Sequence, residues 1–340
     1  MKSPGGRIEE PVGAYIIRRL IAMAAMLVAL SIVVFLLFAA LPTEPARLVC
    51  GKACTPQIIK AIDHKFGYDQ PLYVQYEKFA KGIVAGRTYG EGKAAFQCPK
   101  PCLGYSFLRN EDVTTLIKDS LPVTAQLAIG GFILWIIVGV GVGIIAALKR
   151  GKWQDRTIMG AALVGYSFPS FFIALLLIFF VQIKFGLLGF HSYVPIYDNP
   201  SEWFKAFILP WIAIALLYAA FYSRLTRNQM LETLGEDYIR TARAKGLPER
   251  TVIGRHALRA GLSPIVTAAG LDLAGLLGGA IIIEPIFALP GIGRLSLDAV
   301  TTSDLPVITG TVMVAAFFVI VANLVVDLLY AVIDPRVRLA

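Results

Sequence analysis

The sequence predicts an all-α integral membrane protein of six transmembrane helices with an external, disulfide-bearing loop domain. Composition is the first observation: 56% of the 340 residues are hydrophobic, 16% are charged and the mean hydropathy is +0.68, outside the soluble class. The second is a set of apolar runs long enough to cross about 30 Å of hydrocarbon at about 1.5 Å per residue. They are Leu20–Leu41, Leu121–Leu148, Ile158–Ile183, Ala206–Tyr222, Leu262–Ile283 and Val307–Ile333. The third is the distribution of the +9 formal charge. A basic chain can bind nucleic acid, but here Lys and Arg gather in alternate connections, as the positive-inside rule requires, and no nucleic-acid partner is expected.

The first run follows Arg18 and Arg19 and ends on Ala39 and Ala40, a pattern shared with signal peptides. Its apolar stretch exceeds the about 7–15 residues of a cleaved h-region, so it is read as a retained helix. Residues 1–19 are then a cytosolic N-terminal segment and residues 20–41 the first span. Basic residues Lys149, Arg150, Lys152 and Arg156 follow the second span. Arg224, Arg227, Arg240, Arg243, Lys245, Arg250, Arg255 and Arg259 follow the fourth, and Arg336 and Arg338 lie in the 334–340 tail. The opposite connections hold little beyond Lys184, Lys205 and Arg294. Both termini are expected in the cytosol and residues 42–120 outside, since long loops translocate largely regardless of charge.

All four cysteines fall in that external segment, as Cys50-x3-Cys54 and Cys98-x3-Cys102. Zinc knuckles more often have two intervening residues, and an external location favours oxidation. Three connectivities are possible. A cross-link joining Cys50 or Cys54 to Cys98 or Cys102 is the attractive one, and the lobe either receives a partner or simply resists proteolysis. His64, His191 and His256 have no metal-ligand spacing, and no nucleophile–base or paired-carboxylate constellation predicts catalysis.

Residues 121–333 form the five-helix core. Gly139 and Gly143, and Gly275 and Gly279, have the spacing that lets helix backbones approach. Pro169 should kink the third span by removing an N–H and clashing with the preceding turn. Asp272, near mid-depth of the fifth span, needs a partner or water; it either lines a path or bonds another helix. Asp327, with Asn323 one turn earlier, reads as structural. The 224–260 stretch is too long for a turn. Within it, residues 236–246 read as a short helix with acids first, basic residues last and Gly246 at the C-cap. Tyr238, Ala242 and Lys245 share a face beside Ile239, and small residues at Ala242 and Gly246 permit close approach by another protein. The alternative is a helix lying on lipid with snorkelling basic side chains.

The run Tyr238-Ile-Arg-Thr-Ala-Arg-Ala-Lys-Gly-Leu247, followed by His256-Ala-Leu-Arg259 and Leu262-Ser-Pro264, resembles the EAA loop of permease subunits of ATP-binding-cassette importers, in the dipeptide/oligopeptide branch. Arg240, Thr241 and Ala242 stand where the general pattern has Glu-Ala-Ala, and Gly246 is in its place. The likeness continues through Arg19–Ala46, with Thr43-Glu44 where Gly-Asp is common. It extends through Phe66–Tyr76, Ser120-Leu-Pro-Val-Thr124 and Ser167-Phe-Pro-Ser-Phe171, then Glu284-Pro-Ile-Phe287, Pro290-Gly-Ile-Gly293, Ala299 and Asp304-Leu-Pro-Val307.

The resemblance implies a type I importer permease fold in a bacterial inner membrane and a non-catalytic subunit. It implies pairing with a homologous permease, and two ATPase subunits or domains that bind ATP and Mg²⁺ and receive the coupling helix. An external substrate-binding protein would deliver peptide. The chain holds no nucleotide site of its own: Gly151-Lys152-Trp153 lacks the remainder of a P-loop. Tyr238, Ile239, Thr241, Ala242, Arg243, Ala244, Lys245, Gly246 and Leu247 are the candidate ATPase contacts. Asp272, Ser167 and Gln126 are the candidate path residues. Pro290, Gly291, Ile292, Gly293 and Leu295 are candidate binding-protein contacts, with Ile292 and Leu295 expected on the surface. Nickel and glutathione importers share these motifs, and a non-transport receptor or scaffold is a reading of another class.

Overall fold

The computed structural model describes residues 12–39, 54–67, 69–89, 96–106 and 108–333. Helix α1 covers Val12–Ala39 and contains the apolar span Ile17–Leu36. The lobe that bears the cysteines follows. Helix α2 (Pro56–Phe66) is capped by the Thr55 side chain and ended by Gly67 in the left-handed region, and α3 (Leu72–Ala85) packs back on α1. That contact is aromatic, with Phe35 edge-on to Tyr76 at 5.5 Å and stacked on Phe79 at 5.9 Å. Two short antiparallel hairpins complete the lobe: β1 (Arg87–Tyr89) with β2 (Phe96–Cys98), and β3 (Tyr105–Ser106) with β4 (Glu111–Asp112).

One disulfide in this lobe joins Cys98 to Cys102 across a tight turn, with Cα atoms 5.6 Å apart and both sulfurs buried. The expected bridge between the two cysteine pairs is therefore corrected for this pair, whose spacing already satisfies disulfide geometry locally. Cys54 is disulfide-bonded as well, and Cys50 lies outside the described residues.

Helix α4 (Val113–Leu148) begins eight residues before the expected Leu121, because Asp112 accepts a hydrogen bond from the Thr115 N–H at 2.8 Å and caps an earlier turn. At 36 residues it is about 54 Å long and outreaches the hydrocarbon. Helices α5 (Trp153–Ser167) and α6 (Ser170–Lys184) meet at a 101° bend. Phe168 takes extended geometry, as a residue before proline does, and Pro169 starts the second half, so the expected kink is a full break.

Helix α7 (Pro200–Gly235) is again 36 residues, so the fourth span runs well past Tyr222 and its last turns belong to the expected cytosolic loop. Helix α8 (Asp237–Ala244) comes next, then α9 (Glu249–Gly261) and α10 (Ser263–Leu277), bent at 50°. The fifth span is shorter than expected. It ends at Leu277, where Gly278 and Gly279 break it, and Gly279 has φ +122° with the Gly293 backbone seated against it. Short α11 (Ile283–Ile286), then α12 (Ile292–Thr302) and α13 (Leu305–Ile333), complete the chain. Among the described residues four helices are long and apolar enough to cross a membrane, and up to six spans result when each bent pair counts as one. The side chain of Asp327 lies outside the described residues.

The core is the α4–α7 interface. Trp135, Tyr222, Phe207 and Leu127 are fully buried there. Glycine makes the approach possible: a Cβ on Gly139 would lie 2.7 Å from Tyr222, and one on Gly143 2.7 Å from the Ser223 carbonyl oxygen. The second glycine pair does not work this way, since nothing lies within 4 Å of a Cβ on Gly275 and Gly279 is outside the helix. Gly143→Ala should lower stability by about 1–3 kcal/mol through overpacking. Gly141→Ala, with nothing within 4 Å, should raise it by up to about 1 kcal/mol through helix propensity. Thermal unfolding of the purified chain measures both, and equal melting temperatures would contradict this packing.

Candidate functional site

Helix α8 is held at the far end of α7 by its own apolar stripe. Ile239 and Ala242 are buried in a small core with Met230 of α7, Ala147 of α4, and Val252 and Ala257 of α9. The expectation that Ala242 offers a close-approach surface is corrected: three residues after Ile239, it lies on the same inward stripe. Ile239 is likewise support, not surface. Tyr238, Thr241, Arg243, Ala244, Lys245, Gly246 and Leu247 are exposed. Burial pushes the Tyr238 hydroxyl up from its ordinary value, reinforced by Glu236.

The helix stops where the sequence says it should. Gly246, at φ +75°, donates to Arg243 O at 2.9 Å and Leu247 donates to Ala242 O at 3.4 Å, the bond pair of a Schellman motif. Arg243 reaches Glu249 at 2.7 Å and so ties α8 to α9. Deeper in, Arg227 of α7 grips Asp155 of α5 with two bonds of 2.6 and 2.9 Å, and the Gly151 N–H donates to the same carboxylate. Asp155 is only 5% exposed, so this fork fixes the α4–α5 turn to the helix that carries α8.

At the opposite end lies a buried polar knot. Glu284, fully buried, accepts from the Thr124 hydroxyl at 2.8 Å, the Ala280 N–H at 3.2 Å and the Arg294 N–H at 3.0 Å. Thr124 accepts in turn from the Ile292 N–H at 2.8 Å. The first turn of α12 thus gives two of its orphan N–H groups to α4 and to this carboxylate. Gly291 is required by contact, because a Cβ there would sit 2.4 Å from the carboxylate. Ile292 is 0% exposed and Leu295 5%, both within a core shared with Val113 and Ile117. Gly291 and Gly293 are buried and Pro290 is exposed.

The surface placement expected for Ile292 and Leu295 is therefore corrected: they hold α12 against α4. The hairpin β3–β4 docks on the next turn, where the Ser106 hydroxyl bonds Asp304 and Arg109 approaches Asp298 at 3.6 Å. Burial pushes the Asp304 carboxyl above its usual range, opposed by the bond from Ser106.

The three candidate path residues are not gathered. Gln126 accepts from the Trp203 indole at 2.7 Å, while Asp272 accepts from the Tyr222 hydroxyl at 2.6 Å. Trp203 and Tyr222 are both on α7, about 28 Å apart along its axis. Ser167 ends α5 and returns its hydroxyl to the Leu163 carbonyl. In the sequence Thr124 and Glu284 stand out only as members of motifs, and Asp155 belongs to none. The available signals were an acid at the end of an apolar run and a lone acid in a basic turn.

Two family models match the chain: "Binding-protein-dependent transport system inner membrane component" over residues 139–339, and the N-terminal model of the same transport-system membrane component over residues 13–128. A Brucella abortus protein named as a peptide transport system permease is 38% identical over 325 residues, covering 96% of this chain and 99% of the relative. The glutathione transport system permease of Escherichia coli K12 is 36% identical over 324 residues, 95% and 98% of the two chains. An inward-facing structure of the MetNI methionine ABC transporter aligns with TM-score 0.51 at 18% identity, over 64% of this chain and 96% of that one. At that identity the likeness speaks for the fold alone.

Glu284→Ala removes the acceptor for three donors, two of them in buried bonds worth roughly 1–3 kcal/mol each when left unmet, and should sharply lower the melting temperature. Ile292→Asp should do the same by burying a charge in the α4–α12 core. Thermal unfolding in detergent checks both, and an unchanged transition for Ile292→Asp would contradict its placement.

Proposed function

The chain belongs to the family of binding-protein-dependent transport system inner membrane components, the multi-pass permeases of ABC importers, and from that membership we propose that it imports peptides. In this reading it pairs with a homologous permease across the membrane, with both termini in the cytosol. An external binding protein delivers the peptide. Two ATPase subunits or domains beneath the pair bind ATP and Mg²⁺ and drive rigid-body alternating access.

One observation carries the coupling role. Helix α7 is about 54 Å long, so its end projects past a hydrocarbon layer of about 30 Å. It carries there a short helix whose apolar stripe is used internally and whose exposed face is basic. A lipid-surface helix would turn Ile239 and Ala242 to the membrane; here they are consumed by the chain's own core. That leaves the Thr241, Ala244 and Lys245 face for a protein partner. Peptide is favoured as cargo by the relatives named as peptide permeases, and glutathione, the cargo in the Escherichia coli relative's name, is itself a small peptide.

Ala244→Trp leaves the buried stripe intact and should block docking, and Gly246→Arg, which also strains the left-handed end of α8, should do the same. Peptide uptake by the reconstituted complex should fall at least about tenfold, with ATP hydrolysis no longer answering to loaded binding protein. Membrane insertion and the melting temperature of the Ala244→Trp chain should not change. Normal uptake and stimulated hydrolysis in both variants would overturn the coupling role.

A further inference from the structure

Where α4, α7 and α10 converge, one cluster of polar groups is incompletely satisfied. Asp272 lies nine residues into α10, about 13 Å from its start. Its Oδ2 accepts from the Tyr222 hydroxyl at 2.6 Å. Its other oxygen has no hydrogen-bond donor and no Lys, Arg or His beside it among the described residues. The carboxylate is half-buried, so that oxygen is reachable.

Tyr218, one turn before Tyr222 on the same helix, stands within electrostatic reach of Asp272, and its hydroxyl has no partner among the described residues. Trp135 of α4 stacks on Tyr218 at 4.5 Å and 22°, and its fully buried indole N–H is also unpaired. In hydrocarbon such groups normally find partners, because water is not there to satisfy them. An uncompensated carboxylate at this depth is a functional group by default. Tyr222 alone accounts for one oxygen, and a purely structural tether leaves the other unexplained.

We infer that Asp272 and Tyr218 form a subsite for the ammonium group of the translocated peptide. This rests on the peptide-import reading. An unmodified peptide carries one positive group at its N-terminus whatever its sequence, and that ammonium offers three donors. The free Asp272 oxygen and the Tyr218 hydroxyl oxygen accept two of them, and the adjoining aromatic wall suits a cation. Tyr222 fixes the carboxylate from behind and acts as a positioning residue. Recognition of the terminus alone passes peptides of varied side chains.

The test is equilibrium binding of radiolabelled trialanine and N-acetyl-trialanine to the assembled transporter in nanodiscs, without binding protein or nucleotide. The wild type should prefer the free terminus by about tenfold. Asp272→Asn should lose that preference and bind both as weakly as the wild type binds the acetylated peptide, with all subunits still co-purifying. Tyr222→Phe should weaken trialanine binding while keeping the preference. No trialanine binding, no wild-type preference, or a preference surviving Asp272→Asn would each overturn the subsite. Loss of preference in Tyr222→Phe to the same extent as in Asp272→Asn would also overturn it, as a structural pair. Trialanine uptake by the same complex with its binding protein reports separately on peptide import: failure there overturns the transport reading and the subsite with it.

Discussion

The buried carboxylate of Glu284 is the constraint on which the half of the molecule opposite α8 depends. Moving a carboxylate out of water costs several kcal/mol, and among the described residues no cationic side chain bonds this one. The offset comes from a hydroxyl, two backbone N–H groups and the positive end of α12. Those donors belong to α4, to the chain just past α10 and to the start of α12, so one carboxyl group ties together three segments, of which the apolar contacts of Ile292 and Leu295 also hold α4 and α12. Gly279, Gly291 and Gly293 are small because backbone or carboxylate fills the space a Cβ would need.

The half that carries α8 is organised by extension. Helix α7 packs along α4 over most of its length, with Tyr222 and Ser223 closing on Gly139 and Gly143. It then continues into the segment that anchors α8. The Asp155–Arg227 fork joins the same extension to α5, one half of the 101° bend. In the proposed coupling role, a displacement of α8 would act on a rigid helix and on the base of a broken one. This arrangement suits rigid-body switching better than a flexible loop would, because packed interfaces shift between discrete states and do not deform continuously.

Much of this was legible. Apolar length located the spans, Pro169 the break, and Gly246 the end of α8, because each depends on local backbone chemistry. What was misplaced depended on which neighbour a residue meets. Ile239 and Ala242 form an apolar stripe that fits a partner or the chain's own core equally well from sequence. Ile292 and Leu295 follow a Pro-Gly turn and so read as surface. The register of α10 was overrun because Gly278 and Gly279 sit inside a continuous apolar run and look like any packing glycines.

By itself the sequence determined a multi-pass helical permease, through hydropathy, charge asymmetry and an ordered set of motifs, all of which are properties of segments. Tertiary structure alone decided which motif residues are internal braces. Glu284, Thr124 and Asp155 acquire their roles from hydrogen-bond partners 160, 168 and 72 residues away in the chain. The unsatisfied oxygen of Asp272 has the same origin. Spacing within a segment fixes which face a side chain occupies, but only the packing of distant helices fixes what that face meets.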